Sequence, residues 1–403
     1  MKFNTVKLGE YLYIKGRIGW KGLKKKEYLD KSDFRIINGE SLTENGIDWN
    51  KAGYISKERY DESPEIMLQP DDILISKDGT IGKIGYIDSL NTPTTVASGI
   101  FVIRNQKPEI INTRFIYHFF CSKYFKNFIT MRTEGSVIPH LYQKDFVDLD
   151  FPLPELSVQD KIVGILDAIC NKIDLNKSIN ENLLQQAIAL FDNALQQSES
   201  ISFVELGSLA DVKGGKRLPK GVNLITKPNS HPYIRVRDLN NVIFASLSSD
   251  YAYVDDETQK SIARYITSAG DVLVSIVGTI GLTAIVDDTL ANANLTENCV
   301  KLTNLKGIIP EYLLLFLRSK EGIEAINKGT VGAVQLKLPI KNIQSIPVPL
   351  LLPIEMQALD DILSVIFNRI STNVIEVKML SELRDTLLPK LISGELSVSK
   401  INY

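Results

Sequence analysis

Residues 72–82 read DILISKDGTIG and residues 271–281 read DVLVSIVGTIG. Seven of the eleven positions are identical, and two more exchange Ile for Val. A segment that returns 199 residues later constrains the fold more than any composition figure, because self-similarity at a fixed period marks one structural unit built twice.

The repeat extends along the chain. VKLGEYLYIKG (Val6–Gly16) pairs with VELGSLADVKG (Val204–Gly214), and FFCSK (Phe119–Lys123) with FLRSK (Phe316–Lys320). FPLP (Phe151–Pro154) pairs with IPVP (Ile346–Pro349), and NKI (Asn171–Ile173) with NRI (Asn368–Ile370). The 403 residues therefore read as a tandem duplication of about 198 residues, whose halves should share one α/β (α+β) fold. In each half, short β-rich runs alternate with turn residues and lead to one helix-like stretch, Thr113–Met131 or Pro310–Asn327. A Pro-rich boundary follows, then a long segment of helical periodicity. The expected boundaries are 1–152 and 200–349 for the two globular units, with 153–199 and 350–403 for the long helices and the tail.

Ser157–Asp160 offers a capping-box-like start to the first long helix, and Pro353 suits the first turn of the second. Ile162, Leu166, Ile169, Ile173, Leu183 and Leu190 follow three- and four-residue steps in the first. Leu359, Leu363, Ile366, Ile370, Val377, Leu380, Leu387 and Leu391 do so in the second. That spacing is the seam of a coiled coil. Asn176 and Asn373 fall in the seams at equivalent positions, where a buried Asn fixes register and a solvent-wetted helix end is the plainer alternative. Two such helices in a duplicated chain can pair antiparallel about a pseudo-twofold axis. Each would be roughly 50–60 Å long and act as a spacer between the units.

Catalytic signatures are missing. There is no GxxxxGK[ST] loop, no GxGxxG fingerprint, no HExxH and no GxSxG elbow. No Asn/Asp-Pro-Pro-aromatic motif is present for methyl transfer, and Glu376-Val377-Lys378 resembles a nuclease element but lies in a long helix without an upstream acidic partner. Three scattered cysteines (Cys121, Cys170, Cys299) and three scattered histidines suggest neither a disulfide framework nor a metal site. The longest apolar runs, such as Val348–Ile354, fall far short of a membrane span, and the opening residues do not read as a secretory signal. A cytoplasmic, non-enzymatic protein is expected.

A formal net charge of −2 argues on its face against a nucleic-acid partner, but net charge averages over unlike faces. From residue 15 to 26 there are six basic residues and no acid: Lys15, Arg17, Lys21, Lys24, Lys25 and Lys26, interleaved with Trp20. The second copy has Lys213, Lys216, Arg217 and Lys220, then Arg235 and Arg237 around Tyr233. Basic tracts in equivalent places of both repeats fit two polyanion-binding faces. Lys77 and Lys83 flank the first GTIG, where the second copy has Ile276 and Leu282, so the shared GTIG reads as a structural strand connection with variable flanks. Arg217, Arg235 and Arg237 are candidates for bidentate guanine contacts or for phosphate contacts. Arg235 and Arg237 would share one face of a strand, unless Asp238 or a nearby acid claims them.

The DDILISKDGTIG and GDVLVSIVGTIG motifs, KGGKRLPKG (Lys213–Gly221) and the closing LLPKLISGEL (Leu387–Leu396), in a two-copy arrangement with a long helix after each unit, resemble the specificity (S) subunit of Type I restriction–modification systems. The resemblance spans essentially the whole chain. It implies two target recognition domains, each reading one half of a split, asymmetric sequence in double-stranded DNA. The paired helices would set the half-site spacing and dock two modification (methyltransferase) subunits. S-adenosylmethionine, ATP and Mg would belong to the modification and restriction (translocase/nuclease) subunits, and this chain would bind no cofactor and no metal. The competing readings are a stand-alone methyltransferase or nuclease with an unrecognised site, and a duplicated scaffold that binds only proteins.

Overall fold

The computed structural model describes residues 3–18, 22–43, 46–133, 140–332 and 335–398. It divides into two compact units, one formed by Met1–Leu175 with Val377–Tyr403 and the other by Asn176–Glu376.

In the first unit a four-stranded antiparallel sheet runs in the order Leu12–Gly16, Ile100–Asn105, Ile73–Ser76, Ile84–Tyr86. A three-stranded sheet places Phe34–Ile37 antiparallel to Gly53–Ile55 and parallel to Thr94–Val96. The strand Asn4–Lys7 pairs with Asp150–Leu153. The second unit repeats this plan. Asp211–Gly214, Cys299–Thr303, Val272–Ser275 and Thr283–Val286 form the large sheet, to which Phe244–Ala245 adds a parallel edge. Pro232–Ile234 lies antiparallel to Ala252–Tyr253 and parallel to Asn294–Leu295, and Ser202–Glu205 pairs with Pro347–Leu350. One fold is indeed present twice.

The GTIG segments close strand connections of the same geometry. Ser76 Oγ donates to the Thr80 carbonyl (2.6 Å) and accepts from the Lys83 amide (2.9 Å). Ser275 repeats both bonds with Thr279 and Leu282 at the same distances. The glycines at both ends of each motif have positive φ (68° and 87°, 82° and 86°), a region a side chain disfavours.

Each expected helix-like stretch is two helices, Thr113–Cys121 with Lys123–Thr133 and Pro310–Arg318 with Lys320–Gly329. Ser122 and Ser319 interrupt them in extended conformation (ψ 157° and 165°). The Ser319 hydroxyl then caps the next helix by accepting from the Gly322 amide at 3.1 Å.

The long helices are Leu156–Gln197 and Pro353–Ile392. They pair antiparallel within each unit. In the second unit Ser198 meets Glu355 (2.6 Å), Asn180 meets Ile370 (3.3 Å) and Asn176 meets Glu376 (2.8 Å). In the first, Ile162 and Leu166 share a core with Leu388, Leu391 and a set of phenylalanines that includes Phe119 and Phe146. The second core joins Ala187 and Phe191 to Tyr312–Leu317 and to Leu359, Leu363 and Phe367.

The seam drifts from its expected course. Leu183 and Leu190 are half-buried while Ala187 and Phe191 are buried, and Phe367 and Leu388 are more deeply buried than Ile366 and Leu387. A straight helix turns about 20° per heptad away from a strict seven-residue repeat, so over four heptads the contact line moves by nearly one residue, as at Leu190 and Leu387. Each compact unit takes part of each long helix, Leu156–Leu175 with Val377–Ile392 in the first and Asn176–Gln197 with Pro353–Glu376 in the second.

Candidate nucleic-acid interface

The first basic tract does not act as one surface. Lys15 is exposed on the strand Leu12–Gly16, with its ammonium 5.8 Å from the Tyr13 ring centroid. Arg17, two residues on, turns inward and is 1% exposed. Its Nε donates to the Val96 carbonyl (3.1 Å), with the Ser63 and Thr95 hydroxyls each 3.4 Å from the fork. Burial, and then the charge of Arg59, hold its pKa below the ordinary arginine value. Arg17 is therefore a core strut, which corrects its place among the surface cations. Lys24, Lys25 and Lys26 are exposed on a short turn closed by Glu27, whose carboxylate accepts from the Lys24 amide at 2.7 Å. Trp20 and Lys21 lie outside the described residues.

Lys77 and Lys83 have local partners. The Lys77 ammonium lies 4.9 Å from the Phe101 ring centroid, a cation–π contact, and Lys83 Nζ donates to the Gly39 carbonyl at 3.4 Å.

In the second unit Lys213 pairs with Asp211 (3.2 Å) and Lys216 lies 5.5 Å from the Tyr265 ring centroid, while Lys220 is exposed. Arg235 and Arg237 do not alternate along a strand. The strand ends at Ile234, and Val236–Leu239 forms a tight helical turn that Asp238 closes by accepting from the Arg235 amide. Asp238 also holds Arg235 through Nε (2.9 Å) and Nη2 (3.0 Å), so this guanidinium is committed within the fold. Arg237 keeps 65% of its side-chain exposure, its Nη2 reaching the Asp250 carbonyl at 3.3 Å.

The three arginines nevertheless converge. Arg217, Arg235 and Arg237 line a cleft of about 460 Å³ with Tyr233, Glu297 and Asn298. Arg217 is 82% exposed, and its Nε donates to Glu297 Oε1 at 2.8 Å. Among the described residues no other hydrogen bond engages its fork, which leaves the two terminal nitrogens as donors on an exposed side chain. Burial opposes ionisation of Glu297, but Arg217, a backbone amide and the Thr296 hydroxyl outweigh it and hold the carboxyl below its ordinary range. The sequence reading missed Thr296, Glu297 and Asn298. Their signal was the divergence of TVASGI (Thr95–Ile100) from NLTENC (Asn294–Cys299) between otherwise matching strands.

Asn176 and Asn373 are fully buried on the long helices. Each reaches the opposite helix, Asn176 Nδ2 to Glu376 Oε2 (2.8 Å) and Asn373 Nδ2 to Asn180 Oδ1 (2.7 Å). Among the described residues no cluster of His, Cys, Asp and Glu is placed to hold a metal ion, and no helix is long and apolar enough to cross a membrane.

The family model described as "Type I restriction modification DNA specificity domain" matches residues 2–185 and again 199–378. The chain belongs to that family. Its two domain copies coincide with the duplicated fold described above, and members serve as the sequence-recognition, non-catalytic component of Type I restriction–modification systems. The MjaVIII specificity subunit of Methanocaldococcus jannaschii is 22% identical, over 100% of this chain and 94% of that protein. The EcoKI specificity subunit of Escherichia coli K12 is 24% identical, over 82% of this chain and 74% of that protein. The crystal structure of the S subunit from M. genitalium shares the fold, with a TM-score of 0.58 at 17% identity over 97% of this chain and 96% of that one.

Proposed function

We propose that each unit of this specificity subunit reads one half of a split, asymmetric sequence in double-stranded DNA. The observation that carries the reading is one scaffold built twice, with the same strand order and the same GTIG turns, bearing different polar side chains on equivalent loops. A common frame with unlike loops suits two unlike half-sites.

Lys15 and Lys24–Lys26 in the first unit, and Lys213, Lys216, Lys220 and Arg237 in the second, would neutralise phosphates and set position, while Arg217 would meet base edges from the cleft. Trp20, Lys21, Lys77 and Lys83 remain candidate contacts, and Arg235 serves by shaping the cleft. The long helices would set the half-site spacing, with Asn176 and Asn373 fixing their register. Two modification subunits would dock on this chain. A face of the second helix supports that reading: Ile354, Ile362 and Val365 are 80%, 47% and 70% exposed, opposite the buried Leu359, Leu363 and Phe367. Restriction subunits would complete the complex in the cytoplasm, with S-adenosylmethionine, ATP and Mg held by the partners.

The test is the salt dependence of DNA binding by the assembled complex. Replacing Lys24, Lys25 and Lys26 with Ala should flatten the slope of log K against log [salt] by about 0.9 for each phosphate no longer neutralised. Arg17→Met should leave that slope unchanged, because its guanidinium is in the core. A slope untouched by the triple substitution would overturn the assignment of this face.

A further inference from the structure

The loop Thr296–Asn298 occupies the place that Ala97–Gly99 holds in the first unit. The strand before it ends opposite Ile234, as Val96 ends opposite Ile37. The strand after it begins at Cys299, as its counterpart begins at Ile100. The backbone frames agree while the side chains differ completely. Both loops hold one hydroxyl, Ser98 and Thr296, but only the second adds a carboxylate and an amide, Glu297 and Asn298.

The segment facing this loop differs in a matching way. Gly16 stands opposite Phe101, and Gly214 opposite Val300, at the ends of equivalent strands. The next residue is Arg17 in the first unit and Gly215 in the second. Arg17 fills the interior and bonds the Val96 carbonyl. Gly215 instead lets the backbone lie on the loop: its amide donates to the Cys299 carbonyl (2.9 Å) and the Lys216 amide to the Leu295 carbonyl (2.8 Å). A Cβ on Gly215 would stand 2.0 Å from the Thr296 carbonyl oxygen. This close approach, open to glycine alone, carries Arg217 to Glu297.

The Glu297 carboxylate is held from both sides. Arg217 Nε donates to Oε1 at 2.8 Å, and the Thr296 hydroxyl donates to Oε2 at 3.3 Å. What faces the cleft is a fixed acceptor beside an arginine fork with free terminal donors. We propose that Arg217 and Glu297 are the base-reading pair of the second unit, Arg217 donating to guanine O6 and N7 and Glu297 accepting from the exocyclic amino group of the paired or adjacent base. In the major groove a guanine presents two acceptors and cytosine or adenine an amino donor, the complement of this pair. Thr296 and Asp238 are positioning residues, the first for Glu297 and the second for the arginines of the cleft.

The inference rests on the DNA-recognition reading above, and the experiment separates the two. The assembled complex is made with the native chain, with Glu297→Gln and with Arg217→Lys. Each is measured for affinity against duplexes carrying every base at each position of the methylated target, and for salt slope. Glu297→Gln removes the charge and keeps the shape, while Arg217→Lys keeps the charge and removes the fork. The expected result is a loss of discrimination of roughly ten- to hundredfold at one base pair of one half-site. The other half-site and the salt slope of Arg217→Lys should be unchanged. Unaltered discrimination in both variants, or an equal loss on every duplex, would overturn the assignment of the pair. A native complex without salt-dependent DNA binding would instead overturn the broader reading.

Discussion

Asp72 and Arg104 form a two-point ion pair, Arg104 Nε to Asp72 Oδ1 at 2.7 Å and Nη2 to Oδ2 at 2.8 Å, with the carboxylate fully buried. The same acid of the repeated motif in the second unit, Asp271, meets a different cation, Lys301 Nζ at 3.1 Å. Both acids also accept an amide three residues upstream, from Gln69 and Ser268 (2.8 Å each), and so close the turn that enters the motif strand. Replacing either partner leaves a buried charge without its counter-charge. Arg104→Met should lower the stability of the first unit by about 3 kcal/mol, read as a fall in its thermal unfolding midpoint. The double variant Asp72→Leu with Arg104→Met should be less destabilised than the sum of the single changes. Strict additivity would mean that the pair contributes no coupling.

Acidification should move the two units in opposite directions. His118 is buried, and its Nε2 lies 2.7 Å from Asp167 Oδ1, with Arg114 on the same carboxylate. Burial first, opposed by Asp167 and reinforced by Arg114 and Arg384, holds His118 below its ordinary value of 6.5. The unfolded chain therefore takes up this proton first, and the first unit loses stability as pH falls below about 6.5. In the second unit burial, then the charges of Glu311 and Asp361, push Asp360 up to about 6. There the folded state protonates first, so its stability is gained as pH falls through 6 and lost as pH rises. Hydrogen exchange on native, His118→Gln and Asp360→Asn chains between pH 7 and 5 reads both effects. The first variant should flatten the acid loss in unit one and the second the acid gain in unit two. Variants indistinguishable from the native chain would refute the assignments.

The helix seam should tolerate apolar replacement with a gain in stability. Asn176 and Asn373 each donate across the seam, while the Oδ1 of each accepts nothing among the described residues. A buried amide with one unmade bond is less favourable than a well-packed Leu. Asn176→Leu with Asn373→Leu should raise the unfolding midpoint, by about 1–2 kcal/mol in stability. A fall would show that the asparagines hold the helices together rather than only specify their alignment.

Much of this architecture was legible because a duplicated sequence tests itself. The presence of GTIG in both copies marks a structural turn, and Ser76 and Ser275 make the same pair of bonds. The long helices followed from their apolar spacing. Residue type could not show that Arg17 turns inward, because a strand-end cation and a core strut are the same letter in a basic tract. Nor did it reveal the turn at Val236, where Asp238 competes for Arg235 three residues away. The helix breaks at Ser122 and Ser319 were hidden by apolar periodicity that continues through them. Glu297 carries no signal of its own, because a single acid 80 residues from Arg217 in sequence resembles any solvated surface carboxylate.

The two units also differ in how they can be made on the ribosome. The second is one unbroken stretch, Asn176–Glu376, whose core is present in full once that stretch has emerged. The first is assembled from both ends of the described chain, and its core waits for Leu388, Leu391, Ile392 and Val398. Domains form as their residues leave the ribosome. The earlier-translated unit therefore finishes last, holding its aromatic core open until the later one has closed, and a message cut short after Glu376 would yield a completed second unit beside a first that never seals.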